Sequence, residues 1–264
     1  MKLSTTIVKR QPLTTYFVLA YAFTWALLPL LLVNLALGVF GLLMPAVAAI
    51  VVAGINEGKA GVKQLLRPLF IWRVHPVWYG VALGLPILLS VVALALSGLL
   101  GWPLQMETAA FTPLLITVFV LVVGEEIGWR GFALPRLLQR YSPVTASLVL
   151  GVLWAGWHVP MFVMPGTPMM AIPFAAYLPW VVGLTFLFTW LYQQTQGSLL
   201  LATLLHGAVN SLGVTNGALS TAEWRWLLAA IYCGAALVVV VATGGMLRHR
   251  TRKQMLVVSD DLPE

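Results

Sequence analysis

Long apolar runs alternate with short polar segments along the whole chain. Most runs reach about 20 residues, the length that an α-helix needs to cross the hydrocarbon core of a bilayer. The pattern therefore predicts an all-α fold, a polytopic integral membrane helical bundle with about eight transmembrane helices. The predicted spans are residues 13–33, 38–56, 78–100, 111–139, 143–163, 172–194, 197–215 and 225–247.

Composition supports a single membrane domain over residues 1–264. Hydrophobic residues make up 60% of the chain and charged residues only 9%, whereas charged residues make up about 25% of a soluble domain. Residues 248–264 are basic and then acidic, and we expect them to form a flexible cytoplasmic tail. The single cysteine, Cys233, excludes a disulfide within the chain.

The basic residues indicate how the chain is oriented. The net charge is +7, but Lys and Arg lie between apolar runs rather than on one soluble module, which argues against nucleic acid as a partner. Basic residues mark cytoplasmic loops. If both termini are cytoplasmic, all of the 15 Lys and Arg residues except Arg225 lie on the cytoplasmic side of the membrane or close to it within a span. The compact chain shows no targeting extension, so we expect a prokaryotic plasma membrane.

Two adjacent carboxylates lie inside the fourth apolar run. Glu125 and Glu126 are two of only eight acidic residues, and a charge in hydrocarbon is costly because it loses its hydration. Arg130 follows Glu126 at i,i+4 spacing, which places both on one helix face where they can pair. Glu125 is rotated by about 100° from Glu126, so we expect one carboxylate to pair with Arg130 while the other faces a cavity.

Two other apolar runs carry histidines that can join this site. His158 shares a helix face with Trp154, and His206 shares one with Asn210, both at i,i+4 spacing. Polar groups in lipid need internal partners, so these faces should point into the bundle. The tryptophans beside the motifs are predicted to be walls of the pocket: Trp129, Trp154 and Trp157.

The depths of these residues in the bilayer support a shared site. If the fourth helix runs unbroken to residue 139, Glu125 lies about 21 Å from its outer end. His158 lies about 22 Å from the inner end of the fifth helix. Because the two helices are antiparallel, both side chains reach the middle of the bilayer. We therefore predict that helices four, five and seven bring Glu125, His158 and His206 into one wet pocket.

Two histidines and a glutamate support two kinds of chemistry. Glu125, His158 and His206 can hold Zn²⁺ with an open position for water, which makes Zn²⁺ the candidate cofactor. Alternatively, Glu125 can act directly as a general base on water, with histidine and asparagine stabilising the oxyanion. The chain has no HExxH motif, and these residues alone leave both alternatives open.

The three motifs together resemble those of the CAAX protease and bacteriocin-processing (CPBP) family of intramembrane endopeptidases. That family carries EExxxR, FxxxH and HxxxN motifs on successive helices. Here the first runs from Glu125 to Arg130, and the third runs from His206 to Asn210. The second ends at His158 and has tryptophan at position 154, where phenylalanine is usual. The resemblance covers about residues 111–215, which would form the catalytic core.

This resemblance implies a CAAX-type intramembrane protease, in a family regarded as metalloendopeptidases. Its substrate would be a membrane-associated or lipid-modified protein or peptide, which is prenylated in the known eukaryotic case. By analogy, Glu125 would activate water and His158 would help to hold it. His206 and Asn210 would stabilise the tetrahedral oxyanion, while Glu126 and Arg130 would support the geometry.

Two other classes of function are open to the same residues. The chain can be a non-catalytic membrane scaffold or a bacteriocin-immunity-type protein, because a protein can keep a fold after the catalytic activity of that fold is lost. It can also provide a proton or ion pathway lined by Glu and His. The pathway is less favoured, since the polar residues form one cluster rather than a file across the bilayer.

Overall fold

The computed structural model of the protein describes residues 6, 8–30, 39–102, 122–165, 167–211 and 221–248. These residues form α-helices joined by short 3₁₀ and π segments, and no strand occurs among them. The prediction of an all-α membrane helical bundle is confirmed. The helices are α1 Pro12–Leu27, α2 Val39–Leu66, α3 Val77–Leu99, α4 Val123–Glu126, α5 Leu134–Leu138, α6 Pro143–Trp157, α7 Phe174–Gln194, α8 Leu199–Ser211 and α9 Ala222–Ala242.

Four helical stretches in the described part of the chain are long and apolar enough to cross a membrane: Phe40–Phe70, Val77–Leu99, Phe174–Gln194 and Ala222–Ala242. Three shorter apolar helices, α1, α6 and α8, coincide with three more of the predicted spans. The fourth predicted span is described only from residue 122 onward. The eight crossings and the cytoplasmic location of both termini stay predictions. From residue 249 onward, the predicted flexible tail lies outside the described residues.

A π-helical segment, Ile127–Ala133, joins α4 to α5 without a break. The described part of the fourth span therefore continues past Gly128 as one helical rod, as the depth argument required. Gly128 allows this rod to approach α1 and α2 closely. A Cβ atom built at this position would lie 2.5 Å from the Tyr16 hydroxyl oxygen and 2.6 Å from Pro45 Cβ.

Backbone chemistry explains where two of the predicted spans end. The second span was expected to end at residue 56, and a non-helical kink at Gly58, where φ is 63°, divides α2 into two helical parts close to that residue. Glycine adopts this left-handed conformation without a steric penalty. The fifth span was expected to end at residue 163, but α6 ends at Trp157. Pro160 explains this end, because proline has no N–H to donate and clashes with the preceding turn.

The helices pack so that α7 lies at the centre of one side of the bundle. It packs against α6 and α9, while α8 packs against α3 and α2 packs against α1 and the π segment. Many of the largest buried side chains are aromatic. They include Trp129, Phe132, Trp157, Phe188, Trp224 and Tyr232.

Candidate active site

The two carboxylates lie at the end of α4, immediately before the π segment. Glu125 is 4% exposed and Glu126 is fully buried, as is Arg130. Single-turn π segments inside helices occur frequently at functional sites. Here the segment begins directly after Glu126 and contains Arg130, so the predicted ion pair spans the junction between α4 and the π segment.

Glu126 is the centre of a buried charged network. Its Oε1 accepts a hydrogen bond from Arg130 Nη1 at 2.9 Å, which confirms the predicted pairing. The same oxygen lies 2.7 Å from Nδ1 of His206, which α8 supplies. A carboxylate only accepts hydrogen bonds, so His206 Nδ1 carries a proton and donates it. One oxygen thus links the fourth span to α8.

The Arg130 guanidinium lies between two aromatic rings. Its Cζ is 4.0 Å from the ring centroid of Trp154 and 3.7 Å from that of Phe188. A cation over an aromatic face is stabilised by the ring quadrupole, and the stabilisation grows when water is excluded. Aromatic stacking from α6 and α7 therefore supplements the Glu126 ion pair in holding Arg130.

Glu125 faces a different direction from Glu126, as their rotation about the helix predicted. Its Oε2 accepts a hydrogen bond from the indole Nε1 of Trp154 at 2.9 Å. Glu125 also lines a cavity of about 190 Å³. One carboxylate is thus neutralised by Arg130, and the other lies on the cavity wall.

His158 is placed by the end of α6. It is the residue that caps this helix, and its Nδ1 lies 2.9 Å from the backbone carbonyl oxygen of Trp154. A carbonyl oxygen can only accept, so Nδ1 carries the proton and Nε2 is left as an acceptor. The helix end forced by Pro160 thus positions a histidine with an acceptor nitrogen beside the cavity.

The structure brings four of the six predicted site residues to one cavity. Glu125, His158, His206 and Asn210 all line it, although Glu125 and His206 are separated by eighty-one positions in the chain. Glu126 and Arg130 lie behind the wall in the charged network. The predicted convergence of helices four, five and seven is therefore present, and the roles of these residues stay predictions.

Trp154 stands at the centre of this arrangement. Its ring centroid lies 5.3 Å from that of His206 and 6.1 Å from that of His158, in addition to the contacts with Glu125 and Arg130. The sequence indicated only a wall residue here, and missed the hydrogen bond because no pattern along the chain shows the direction of an indole N–H. Trp129 and Trp157, which were also predicted to be walls, pack against each other in the core at 5.8 Å.

The predicted zinc ligands do not form a metal-ligand group as they are placed. In the part of the chain that the structure describes, no three His, Cys, Asp or Glu side chains are grouped to hold a metal ion. Oε2 of Glu125 is already bound by Trp154. The residues therefore do not fit the predicted Zn²⁺ site in this arrangement, and a requirement for Zn²⁺ stays a prediction.

Comparison with known proteins points to one family. Residues 107–212 match the family described as Type II CAAX prenyl endopeptidase Rce1-like. The chain is also similar to CAAX prenyl protease 2 of Methanococcus maripaludis, with 29% identity over 110 residues. This alignment covers 38% of the chain and 39% of that relative, so the chain matches less than half of the relative's length. The family match includes all six predicted site residues.

Proposed function

We propose that the chain is an intramembrane endopeptidase, because residues 107–212 match the family described as Type II CAAX prenyl endopeptidase Rce1-like. It hydrolyses a peptide bond of a membrane-associated or lipid-modified protein or peptide. The proposal rests on the different surroundings of the two carboxylates. Glu126 is bound to Arg130 and His206, whereas Glu125 lies on the wall of a cavity shared with His158 and Asn210.

Glu125 serves as the general base that activates water. The Trp154 indole N–H fixes Oε2, which leaves Oε1 for a water molecule in the cavity. Glu125 takes a proton from this water as the oxygen attacks the scissile carbonyl carbon, and then gives the proton to the leaving amine nitrogen. Both proton transfers take place at one carboxylate, so the site needs no second acid.

His158 holds the attacking water. With its Nδ1 proton directed at the Trp154 carbonyl, its Nε2 lone pair accepts a hydrogen bond from water. The water then lies between a carboxylate oxygen of Glu125 and an imidazole nitrogen of His158. These two contacts orient a lone pair of the water oxygen toward the substrate. Orientation of this kind lowers the entropic part of the barrier.

His206 and Asn210 stabilise the oxyanion. Asn210 offers an amide N–H, and His206 lines the same cavity. Since Nδ1 of His206 already donates to Glu126, a donor at Nε2 requires a second proton, so His206 acts as an imidazolium. Glu126 stabilises that cation, while Arg130 holds Glu126 in place. Donors aimed at a developing oxyanion typically contribute about 2.7–4 kcal/mol each to lowering the barrier.

The family match supports a protein or peptide as the substrate. The relative from Methanococcus maripaludis is named a CAAX prenyl protease, and we propose a prenylated protein or peptide as a candidate substrate for this chain. The apolar helices keep the site inside a bilayer, where a lipid anchor would deliver the peptide. We place the protein in a prokaryotic plasma membrane with both termini cytoplasmic.

Cleavage of a quenched fluorescent peptide tests the proposal. The probe carries a farnesylated cysteine near its carboxyl end and is presented to the purified protein in phospholipid vesicles. We expect the wild-type protein to cleave it, and Glu125→Gln to lower kcat by about 100-fold or more because the general base is lost. Glu57→Gln, which alters an exposed carboxylate outside the cavity, should cleave normally. Equal cleavage by Glu125→Gln would contradict the proposal and favour a non-catalytic membrane scaffold.

A further inference from the structure

Arg225 lines the same cavity as the proposed catalytic residues. It lies near the beginning of α9, and its side chain is only partly exposed. In the sequence it is the one basic residue that does not fit the sorting of Lys and Arg to the cytoplasmic side. The structure gives it a different place, on a cavity wall that also contains Glu125 and His206.

A row of aromatic rings connects the site to α9. The ring of His158 contacts that of Tyr177 at 5.5 Å between centroids, and Tyr177 contacts Trp180 at 5.5 Å. Trp180 in turn contacts Tyr232 of α9 at 5.9 Å. Arg225 precedes Tyr232 by two helical turns and so shares its helix face. The face of α9 that packs on this aromatic row therefore carries Arg225.

Arg225 also lines a small recess next to the main cavity. Ile172, Tyr177, Trp180 and Arg225 line both spaces, and Leu228 lines the recess alone. The other described residues that line the recess with Arg225 are apolar or aromatic. A guanidinium beside such walls attracts an anion strongly, because little water is present to screen the charge.

Helix stability does not explain an arginine at this position. The helix dipole favours anions at a helix N-terminus, and the first turn of α9 already contains Glu223. An arginine there gains nothing from the dipole, and a cation within a membrane span costs free energy. An ionisable residue in such a place is a candidate functional site by default.

We infer that Arg225 binds a carboxylate of the substrate, supplied by the chain terminus or by an acidic side chain. A guanidinium matches a carboxylate through two parallel hydrogen bonds, which fixes orientation as well as position. The negative Glu125 repels the same carboxylate, so the anionic end of the peptide is directed to α9 and the scissile carbonyl to Glu125. Arg225 is thus a specificity-determining residue, and this assignment rests on the proposed endopeptidase function.

Binding without turnover tests this inference separately from the cleavage reaction. Three fluorescent farnesylated peptides are compared. Two share one sequence, with Gln before the terminus, and end in a free carboxyl group or in an amide. The third ends in an amide and has Glu in place of that Gln. Fluorescence anisotropy gives the Kd of each for the Glu125→Gln protein, alone and combined with Arg225→Gln. Arg73→Gln is the matched control, because Arg73 is an exposed basic residue that stacks on Trp72 outside the cavity.

We expect at least one carboxylate-bearing peptide to bind about tenfold more tightly than the amidated Gln peptide. Arg225→Gln should abolish that preference, Arg225→Lys should restore part of it, and Arg73→Gln should leave it unchanged. The peptide that shows the preference identifies the source of the carboxylate. Equal Kd values for all peptides, a preference that survives Arg225→Gln, or no binding of any peptide would overturn the inference. Failure of the wild-type protein to cleave these peptides, with the binding preference intact, would instead count against the endopeptidase proposal alone.

Discussion

The indole N–H of Trp154 donates a hydrogen bond to Oε2 of Glu125 across 2.9 Å, joining α6 to the fourth span inside the protein. Phenylalanine, the usual residue at this position in the CPBP motif, has no such donor. This chain therefore holds its proposed general base by a contact that the usual motif does not provide. A hydrogen bond to a charged group typically contributes about 1.5–3 kcal/mol.

Replacement of Trp154 by phenylalanine keeps the aromatic wall and removes only the donor and one ring. We expect kcat to fall by about tenfold to a hundredfold, since about 1.4 kcal/mol corresponds to a factor of ten in rate. KM should change little, because Trp154 fixes the base rather than the peptide. Steady-state cleavage of the quenched farnesylated peptide provides both constants.

Trp129→Phe is the matched control for that measurement. Trp129 is fully buried and Trp154 nearly so, but Nε1 of Trp129 has no hydrogen-bond partner among the described residues. The control therefore loses similar packing and no hydrogen bond, and its kcat should stay near that of the wild type. Equal losses of kcat in both variants would show that Trp154 acts through packing alone.

The buried network around Glu126 predicts a large effect on stability. Glu126→Gln removes the negative charge facing Arg130, whose side chain is fully buried. An uncompensated buried charge typically costs about 3–5 kcal/mol. We expect a corresponding loss in the free energy of unfolding, measured by circular dichroism during denaturation in mixed micelles.

Glu57→Gln provides the comparison for this loss. Glu57 lies 3.8 Å from Arg136, but both side chains are partly exposed to their surroundings, at 49% and 26%. Ion pairs of this exposed kind contribute about 0–1 kcal/mol. If Glu126→Gln destabilised the protein no more than Glu57→Gln, the network would not be a structural support of the site.

Helix positions could be predicted from the sequence because the bilayer fixes their length. The Glu126–Arg130 pair could be predicted as well, because the i,i+4 spacing alone brings the two side chains together. The contact of His206 with the same oxygen could not, since it depends on how α8 packs against the fourth span. The end of α6 at Trp157 could have been placed better, because Pro160 is visible in the sequence.

Arg225 shows what charge sorting along a sequence can and cannot predict. Its disagreement with the charge sorting marked it as unusual, but sequence alone could not show that α9 turns this residue to the cavity. That placement depends on long-range ring contacts such as Trp180 with Tyr232. Local pattern thus predicted elements and neighbouring pairs, whereas contacts between distant helices required coordinates.

Close packing at Gly128 predicts that even one methyl group is harmful there. In Gly128→Ala the new Cβ would meet Tyr16 Oη at 2.5 Å and a backbone atom of Pro45 at 2.8 Å. Overpacking of this kind typically costs about 1–3 kcal/mol. We expect a lower midpoint of thermal unfolding and reduced cleavage, because the π segment that contains Gly128 also carries Arg130.

Gly84→Ala is the opposite case in the interior of α3. Among the described residues, no atom beyond the local helix backbone lies within 4 Å of a Cβ built at Gly84, and alanine in a helix is more stable than glycine by about 0.5–1 kcal/mol. The midpoint of unfolding should therefore stay the same or rise slightly. A loss of stability equal to that of Gly128→Ala would contradict the packing described at the π segment.

Metal removal distinguishes the two forms of the proposed chemistry. Direct activation of water by Glu125 predicts that cleavage survives long dialysis against 1,10-phenanthroline and EDTA, with kcat and KM unchanged. The arrangement of residues favours this outcome, because the described His and Glu side chains do not form a group of three ligands and Trp154 already binds one oxygen of Glu125. Activity that disappears on dialysis and returns with stoichiometric Zn²⁺, but not with Mg²⁺, would overturn direct activation. It would also require His158 and His206 to move toward Glu125, since histidine and carboxylate ligands bind zinc at about 2.0–2.2 Å.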